Sequence, residues 1–297
     1  MQNWDDLRIF LATARAETLS GAGRVLRCDA ATVARRLARL EERLGQTLFV
    51  KSPGGYALTD AGVRLLPAAE AAEQAAQAAV DAVGDAEEGL SGQVRIGAPD
   101  GCANYLLPQI CARLVRDNPG LELQILAVPR VVNLSKREAD LAISVSRPSG
   151  GRLLSQKIAE YHLTLAASEA YLAGRAPILS RDDLIGHLLV GYIPDMIFDA
   201  ELDYMSEAGL EAAHVASNSA AVQVNFLRQG AGIGLTHAFA LPSAPELRRV
   251  LPDEIVLKRS FYLVRHADDK QRRLLSEVAS RLAQEMRSEI AQLEACS

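Results

Sequence analysis

Four arginines and a threonine crowd one side of a single candidate helix. At 3.6 residues per turn, with Arg35 set at 0°, Arg39 falls at about 40°, Thr32 at about 60°, Arg43 at about 80° and Arg36 at about 100°. Val33, Leu37, Leu40 and Leu44 gather between about 140° and 200°. A guanidinium arc beside an apolar face can hold phosphate oxygens, and a hydroxyl near the helix start can reach a base edge. Glu41 and Glu42 fall outside the arc and do not neutralise it directly. Taken alone, the same segment also reads as an amphipathic helix with a solvated charged face.

Other chemistry is poorly supplied. None of the five histidines, His162, His187, His214, His237 and His266, has a metal-ligand partner at i, i+4, and no G-x-S-x-G elbow occurs. Cys28, Cys102, Cys111 and Cys296 form no C-x-x-C pair. Cys102 and Cys111, read as sharing one helix, would lie about 13 Å apart along its axis, too far for a disulfide. The stretch 230–236, Gly-Ala-Gly-Ile-Gly-Leu-Thr, follows a helix and opens a strand, the reverse of what phosphate cradling needs. We therefore expect no catalytic residue, no metal and no cofactor.

The elements around the arginine arc decide between its two readings. Leu7, Phe10, Leu11 and Ala14 mark a first helix, and a short second helix spans 20–26. Arg27-Cys28-Asp29 makes a tight connection in which Asp29 can cap the third helix. Two strands, 48–50 and 56–58, are then joined by Ser-Pro-Gly-Gly. Helix, turn, helix and hairpin in this order place the third helix in a major groove and the hairpin against a minor groove. Net charge agrees. Of a total of −5, residues 1–62 carry +2, from nine basic and seven acidic side chains, leaving −7 on the rest.

These residues resemble the N-terminus of the LysR-type transcriptional regulators. The matching elements are Leu7-x-x-Phe10, Thr18-Leu19-Ser20-x-Ala22, Thr32-Val33-Ala34-Arg35-Arg36-Leu37-x-x-Leu40-Glu41, Leu44-Gly45-x-x-Leu48-Phe49 and Leu58-Thr59-x-Ala61-Gly62. The resemblance implies that Thr18, Ser20, Asp29, Ala30, Ala31, Thr32, Ala34, Arg35, Arg36, Arg39 and Lys51 face DNA. The chain departs from the family at the head of the third helix. Asp29, Ala30, Ala31 and Ala34 stand where relatives carry serine, glutamine and proline or serine, so alanine methyls can meet thymine methyls but make no hydrogen bonds. Gly54 and Gly55 also replace a second wing arginine. Base reading then leans on Thr32, Arg35, apolar contact and DNA shape.

Residues 59–88 are rich in alanine, glutamate and glutamine. Leu65, Ala69, Ala72, Ala76, Ala79 and Val83 keep 4-3 spacing, an a/d seam suited to pairing with a second copy, though an alanine-rich solvated helix gives the same composition. Beyond Gly84, Gly89 and Gly92, strands at 93–97, 121–128 and 140–145 alternate with helices, as in a parallel sheet, and a second block repeats the pattern. The expected fold is α/β overall: an all-α winged helix-turn-helix (1–58), a linker or dimerisation helix (59–90) and a two-subdomain α/β effector domain (91–297). The family resemblance divides that domain into 91–163 with 264–297, and 164–263. It implies two crossing strands near 163–166 and 261–264, similar to periplasmic binding proteins, with a small-molecule effector in the cleft.

Ligands of open α/β sheets bind beyond the carboxyl ends of strands. The candidate effector residues are Asp100, Gly101, Cys102, Arg130, Ser146, Arg147, Tyr192, Asn218 and Thr236. Arg130 and Arg147 suit a carboxylate whereas Asp100 repels one, so the charge of the effector stays open. The expected partners are double-stranded DNA, a small-molecule effector, a second copy in a dimer or tetramer, and RNA polymerase. No apolar run approaches the ~18 residues of a membrane span and the first residues lack a secretory pattern, so a cytoplasmic protein is expected. A ligand-binding transport protein is the competing reading of the C-terminal part, and an enzyme is another.

Overall fold

In the computed structural model, helix α1 (Trp4–Ala16) turns Ile9, Phe10 and Leu11 inward, in keeping with its sequence period. The structure describes residues 4–52, 55–83, 89–127, 134, 138–148, 152–210, 212–267, 269 and 272–297. The chain divides into two units, Met1–Ala86 and Glu87–Ser297.

In the first unit, Glu17 ends α1 in the left-handed region at φ 56°. Thr18 caps α2 (Leu19–Leu26) by accepting from the Gly21 amide at 3.0 Å. Arg27, at φ 54°, closes that helix, and Asp29 caps α3 (Ala30–Leu44), which buries Val33, Leu37 and Leu40. The Glu41 carboxylate reaches forward to the amides of Leu48 (2.6 Å) and Phe49 (3.2 Å) and so fixes the start of the wing. Strands β1 (Phe49–Ser52) and β2 (Gly55–Leu58) pair antiparallel, Phe49 opposite Leu58. The wing is tied to the α1–α2 turn, because the Tyr56 amide donates to the Glu17 carbonyl at 2.7 Å. Gly55 lies at φ 127° beside that carbonyl, where a Cβ would come within 2.3 Å of its oxygen.

Helix α4 (Asp60–Val83) starts on the same core. Ala69 is buried there, and Glu73 makes a bidentate pair with Arg15 at 2.6 and 3.0 Å. The early part of the expected pairing seam is thus spent within the chain, whereas Ala79 is exposed.

The second unit comprises β3 (Gly92–Ala98), α5 (Asp100–Tyr105), α6 (Leu107–Asp117), β4 (Leu121–Ala127), β5 (Leu141–Ser144), β6 (Leu153–Ser168), α7 (Glu169–Leu172), β7 (Leu189–Gly191), α8 (Tyr204–Glu207), β8 (Val215–Ala216), α9 (Ala220–Arg228), β9 (Ile233–His237), β10 (Leu247–Val250), β11 (Val256–His266) and α10 (Arg273–Ala295). The described strands form one sheet in the order β4-β3-β5-β11-β6-β9-β7-β8, with β10 on β6. Its flanks are parallel: β4, β3 and β5 on one side, β9, β7 and β8 on the other. Between them run the two long antiparallel strands β6 and β11. β5 pairs with residues 262–265 and β9 with 163–167, so the stretches where β6 and β11 pair only with one another, 159–162 and 258–261, are the crossing. Both stretches sit a few residues before the expected positions.

The glycine-rich turn has a packing role. Gly232, at φ 154°, presses on the Leu188 carbonyl, where a Cβ would sit 2.3 Å from the oxygen, and this brings β9 against β7. The expectation that Cys102 and Cys111 share a helix is corrected. Cys102 is in α5 and Cys111 in α6, with the break at Leu106, because Pro108 has no N–H to continue the ladder. Both cysteines are free thiols, and burial pushes both pKa values up, that of Cys111 to about 11.

Candidate DNA-binding face and effector site

In the head, Asp29 accepts from the Thr32 amide at 2.7 Å and from its hydroxyl at 2.9 Å, and these bonds hold the Asp29 carboxyl below its ordinary range. The Thr32 hydroxyl therefore donates within the helix and offers its lone pairs outward. Ala31 is exposed, and Ala30 and Ala34 are half-buried.

Three of the four arginines of the arc are neutralised, by acids of α1 and not of α3. Arg36 pairs with Asp5 at 3.2 Å, while Arg39 and Arg43 grip Asp6 at 2.8 and 2.9 Å. Asp6 is 1% exposed, so the two guanidinium groups lock α3 to α1. Arg35 is exposed and makes no ion pair with any described residue. Lys51 projects from β1 opposite Tyr56. The Thr18 hydroxyl is occupied as a cap, and Ser20 is exposed. The sequence reading passed over Arg24 and Arg27, exposed cations at the end of α2 that make no ion pair with a described residue.

In the second unit, Asp100 begins α5 and accepts from the Ser219 hydroxyl and the Ala221 amide, both at 2.9 Å. A carboxylate from one flank of the sheet thus caps α9, which belongs to the other flank. A second clasp runs from the Ser146 hydroxyl to the Asp199 carboxylate. Gly101 lies under the His237 imidazole, where a Cβ would approach to 2.6 Å. Cys102 is fully buried. Tyr192 meets Tyr204 edge to face at 5.7 Å. Thr236 stands opposite Thr164 on β6. Arg147 is drawn aside over the Tyr262 ring, 5.5 Å from its centroid. Asn218 is half-buried just before the α9 cap, and Arg130 lies outside the described residues.

The structure therefore brings Asp100, Gly101, Cys102, Tyr192 and Thr236 to one place. It adds residues that sequence reasoning passed over. Tyr161 stacks on Phe261 (4.1 Å) and faces His237 (5.6 Å), and the Tyr204 ring meets His237 edge-on at 6.3 Å. Arg259 is held by Glu201 and Glu207 beside Tyr204. The Tyr161 and Tyr204 hydroxyls are buried beside each other, and the Thr164 and Thr236 hydroxyls and His237 Nδ1 are buried without a hydrogen-bond partner among the described residues. Burial lowers the His237 pKa to about 4 against the pull of Asp100, so its imidazole is neutral near pH 7. His237 was legible only as the neighbour of Thr236 at the end of β9. Tyr204 and Arg259 carry no local signal.

Residues 4–63 match the family model for the bacterial regulatory helix-turn-helix protein, lysR family, and residues 87–287 match the LysR substrate binding domain. The chain belongs to the LysR family of transcriptional regulators. Among curated relatives, it is 26% identical over 258 residues to the HTH-type transcriptional regulator PtxR of Pseudomonas aeruginosa, covering 84% of this chain and 82% of that one. It is 33% identical over 163 residues to the Mau operon transcriptional activator of Paracoccus denitrificans, covering 55% and 57%. Among solved structures, full-length OxyR from Pseudomonas aeruginosa matches with a TM-score of 0.69 at 19% identity, covering 97% of this chain and 98% of that one. CrgA from Neisseria meningitidis matches at 0.56 and 20%, covering 99% of each. At these identities the solved structures speak for the fold. The LysR assignment gives the chain a helix-turn-helix domain for DNA and a domain for an effector, and its relatives are regulators. No described helix is long and apolar enough to cross a membrane.

Proposed function

We propose that this LysR regulator reads duplex DNA with α3 and the wing of a head spanning 1–58. Arg35 is the principal base-directed cation, Thr32 and the methyls of Ala30, Ala31 and Ala34 lie beside it, and Lys51 sits at the flank. Thr18 and Ser20 approach the backbone, and Arg36 and Arg39 serve DNA with whatever charge their pairs with α1 leave. The linker 59–90 joins two copies, as a dimer or a pair of dimers, so that heads meet half-sites on successive helical turns. An effector binds in the domain 91–297, between subdomain 91–163 with 264–297 and subdomain 164–263. The cleft residues are Asp100, Gly101, Cys102, Ser146, Arg147, Tyr192, Asn218 and Thr236, with Arg130 as a further candidate. Effector binding shifts the assembly because the two states bind it differently. The regulator works in the cytoplasm, contacts RNA polymerase at its promoter and catalyses no reaction.

The observation that carries the DNA reading is Arg35, exposed and without an ion pair among the described residues, on a helix whose other arginines are tied down, directly ahead of a two-stranded wing. The test is fluorescence-anisotropy titration of the duplex upstream of the protein's own gene across a salt series. Tight binding that falls steeply with salt, weakened by Arg35→Ala by about 1–3 kcal/mol, is expected. Weak binding that is indifferent to Arg35→Ala overturns the role given to α3.

A further inference from the structure

We infer that the cleft of the second unit is built for a small organic cation, an amine held through its N–H donors, and that Asp100 selects for it. The inference rests on the effector reading above and names the ligand class that reading leaves open.

Three observations converge. The first is occupancy of the anion position. The N-terminus of α9 is where a ligand carboxylate would find unsatisfied amides and the positive end of a helix dipole. Asp100 already sits there, bonded to Ser219 and Ala221 at 2.9 Å, so an anion entering that position must evict a carboxylate.

The second is the local balance of charge. Residues 194–207 contain Asp195, Asp199, Glu201, Asp203 and Glu207 and no lysine or arginine. Ser146 bonds Asp199 of this segment across the cleft. Arg259, the buried cation nearby, is saturated by Glu201 and Glu207. Arg147 is exposed and lies over Tyr262. A cation entering here meets a surplus of negative charge.

The third is the set of orphaned polar atoms. The Thr164 and Thr236 hydroxyls and His237 Nδ1 have no hydrogen-bond partner among the described residues, on residues 2%, 3% and 5% exposed. An unpartnered buried polar atom is destabilising, so a ligand that supplies its missing partner recovers free energy. Neutral imidazole nitrogen and hydroxyl oxygens accept hydrogen bonds, and the flanking aromatic faces favour a cation. An ammonium group supplies the donors that this set lacks.

The test uses the full chain and two matched trios of probes: benzylamine, benzyl alcohol and benzoate, then butylamine, butanol and butyrate. Affinities are read by isothermal titration and by the shift in thermal midpoint. The expected result is that at least one amine binds roughly tenfold or more tightly than its carboxylate partner, a difference of about 1.4 kcal/mol. Asp100→Asn, which keeps an oxygen for Ser219 and Ala221, is expected to abolish that preference. Equal or tighter binding of a carboxylate overturns the cation assignment and leaves effector sensing intact. An amine preference that survives Asp100→Asn overturns the role of Asp100. No binding by any of the six overturns the site itself, and DNA affinity, measured separately, shows whether the regulator reading stands.

Discussion

The head and the proposed effector site treat most of their buried polar groups in opposite ways. In the head, Asp6 is 1% exposed and is gripped by two arginines, and the half-buried Glu41 is satisfied by the wing amides, with Arg15 Nε an exception among the described residues. In the proposed effector site, two threonine hydroxyls and an imidazole nitrogen are buried with no partner among the described residues. A surface that meets DNA as a rigid body gains from groups locked before contact. A site that must respond to a ligand gains from groups whose satisfaction depends on it. Removing a polar group should therefore cost stability in the head and recover it in the cleft.

The largest expected effect is in the cleft and depends on pH. His237 is held neutral, with its pKa lowered by burial from 6.5 to about 4. Its share of stability is fully present above pH 6.5. As pH falls from 6.5 toward 4, the unfolded chain takes up a proton that the folded chain refuses, so stability drops by about 1.4 kcal/mol per unit, or about 3 kcal/mol in all. Urea unfolding at pH 7.5 and pH 4.5 should show His237→Gln losing much less stability on acidification than the native chain. Equal losses would mean that His237 is not buried neutral.

Next is Asp6→Ala. It removes the shared anion between Arg39 and Arg43 and with it the tie from α3 to α1. The expected cost is about 2 kcal/mol, given one fully buried partner and two half-exposed ones. Urea unfolding followed by the single tryptophan, Trp4 on α1, reads it directly. A change under about 0.5 kcal/mol would show that the cluster is solvated and that the arginines are available to DNA.

Thr18→Ala should cost about 1 kcal/mol through the lost cap on α2. The same variant separates a structural role from a DNA-facing one. A capping role alone lowers the unfolding midpoint while leaving the salt slope of DNA binding unchanged, and a phosphate contact lowers that slope by about one unit.

Local chemistry was the legible part of the molecule. The Asp29 cap, the hairpin after Gly45 and the strand-helix alternation beyond 92 all follow from nearest-neighbour preferences. What sequence could not supply was pairing between distant segments. Asp5 and Asp6 lie some thirty positions before the arginines they neutralise, so the arc seemed bare when only its own helix was considered. Tyr161, Tyr204 and His237 meet because two long strands cross, and no window of sequence contains all three. Strand β10, Leu-Arg-Arg-Val, lacks the alternation that marks a half-buried strand and was missed for that reason. Pro108 was visible, but its consequence for the helix carrying Cys102 and Cys111 was overlooked.

The smallest effect is the one that sets the two regions most directly against each other. Thr236 is 3% exposed, and its hydroxyl faces a buried neighbourhood without a partner. Thr236→Val exchanges that hydroxyl for a methyl of similar size and removes a desolvated group that gains nothing in the folded chain. The expected result is a gain of up to about 1 kcal/mol, the opposite sign to Asp6→Ala and Thr18→Ala. Thr164, opposite it in the β6–β9 pair, should respond in the same direction. If the cleft keeps these groups for a ligand, the stabilised variant should also bind the favoured amine more weakly, because the acceptor that the ligand would have satisfied is gone. Unfolding curves with and without benzylamine measure both quantities in one experiment. A Thr236→Val chain that is less stable than the native one would mean that the hydroxyl is already satisfied, and the contrast between a locked head and a waiting cleft would lose one of its members.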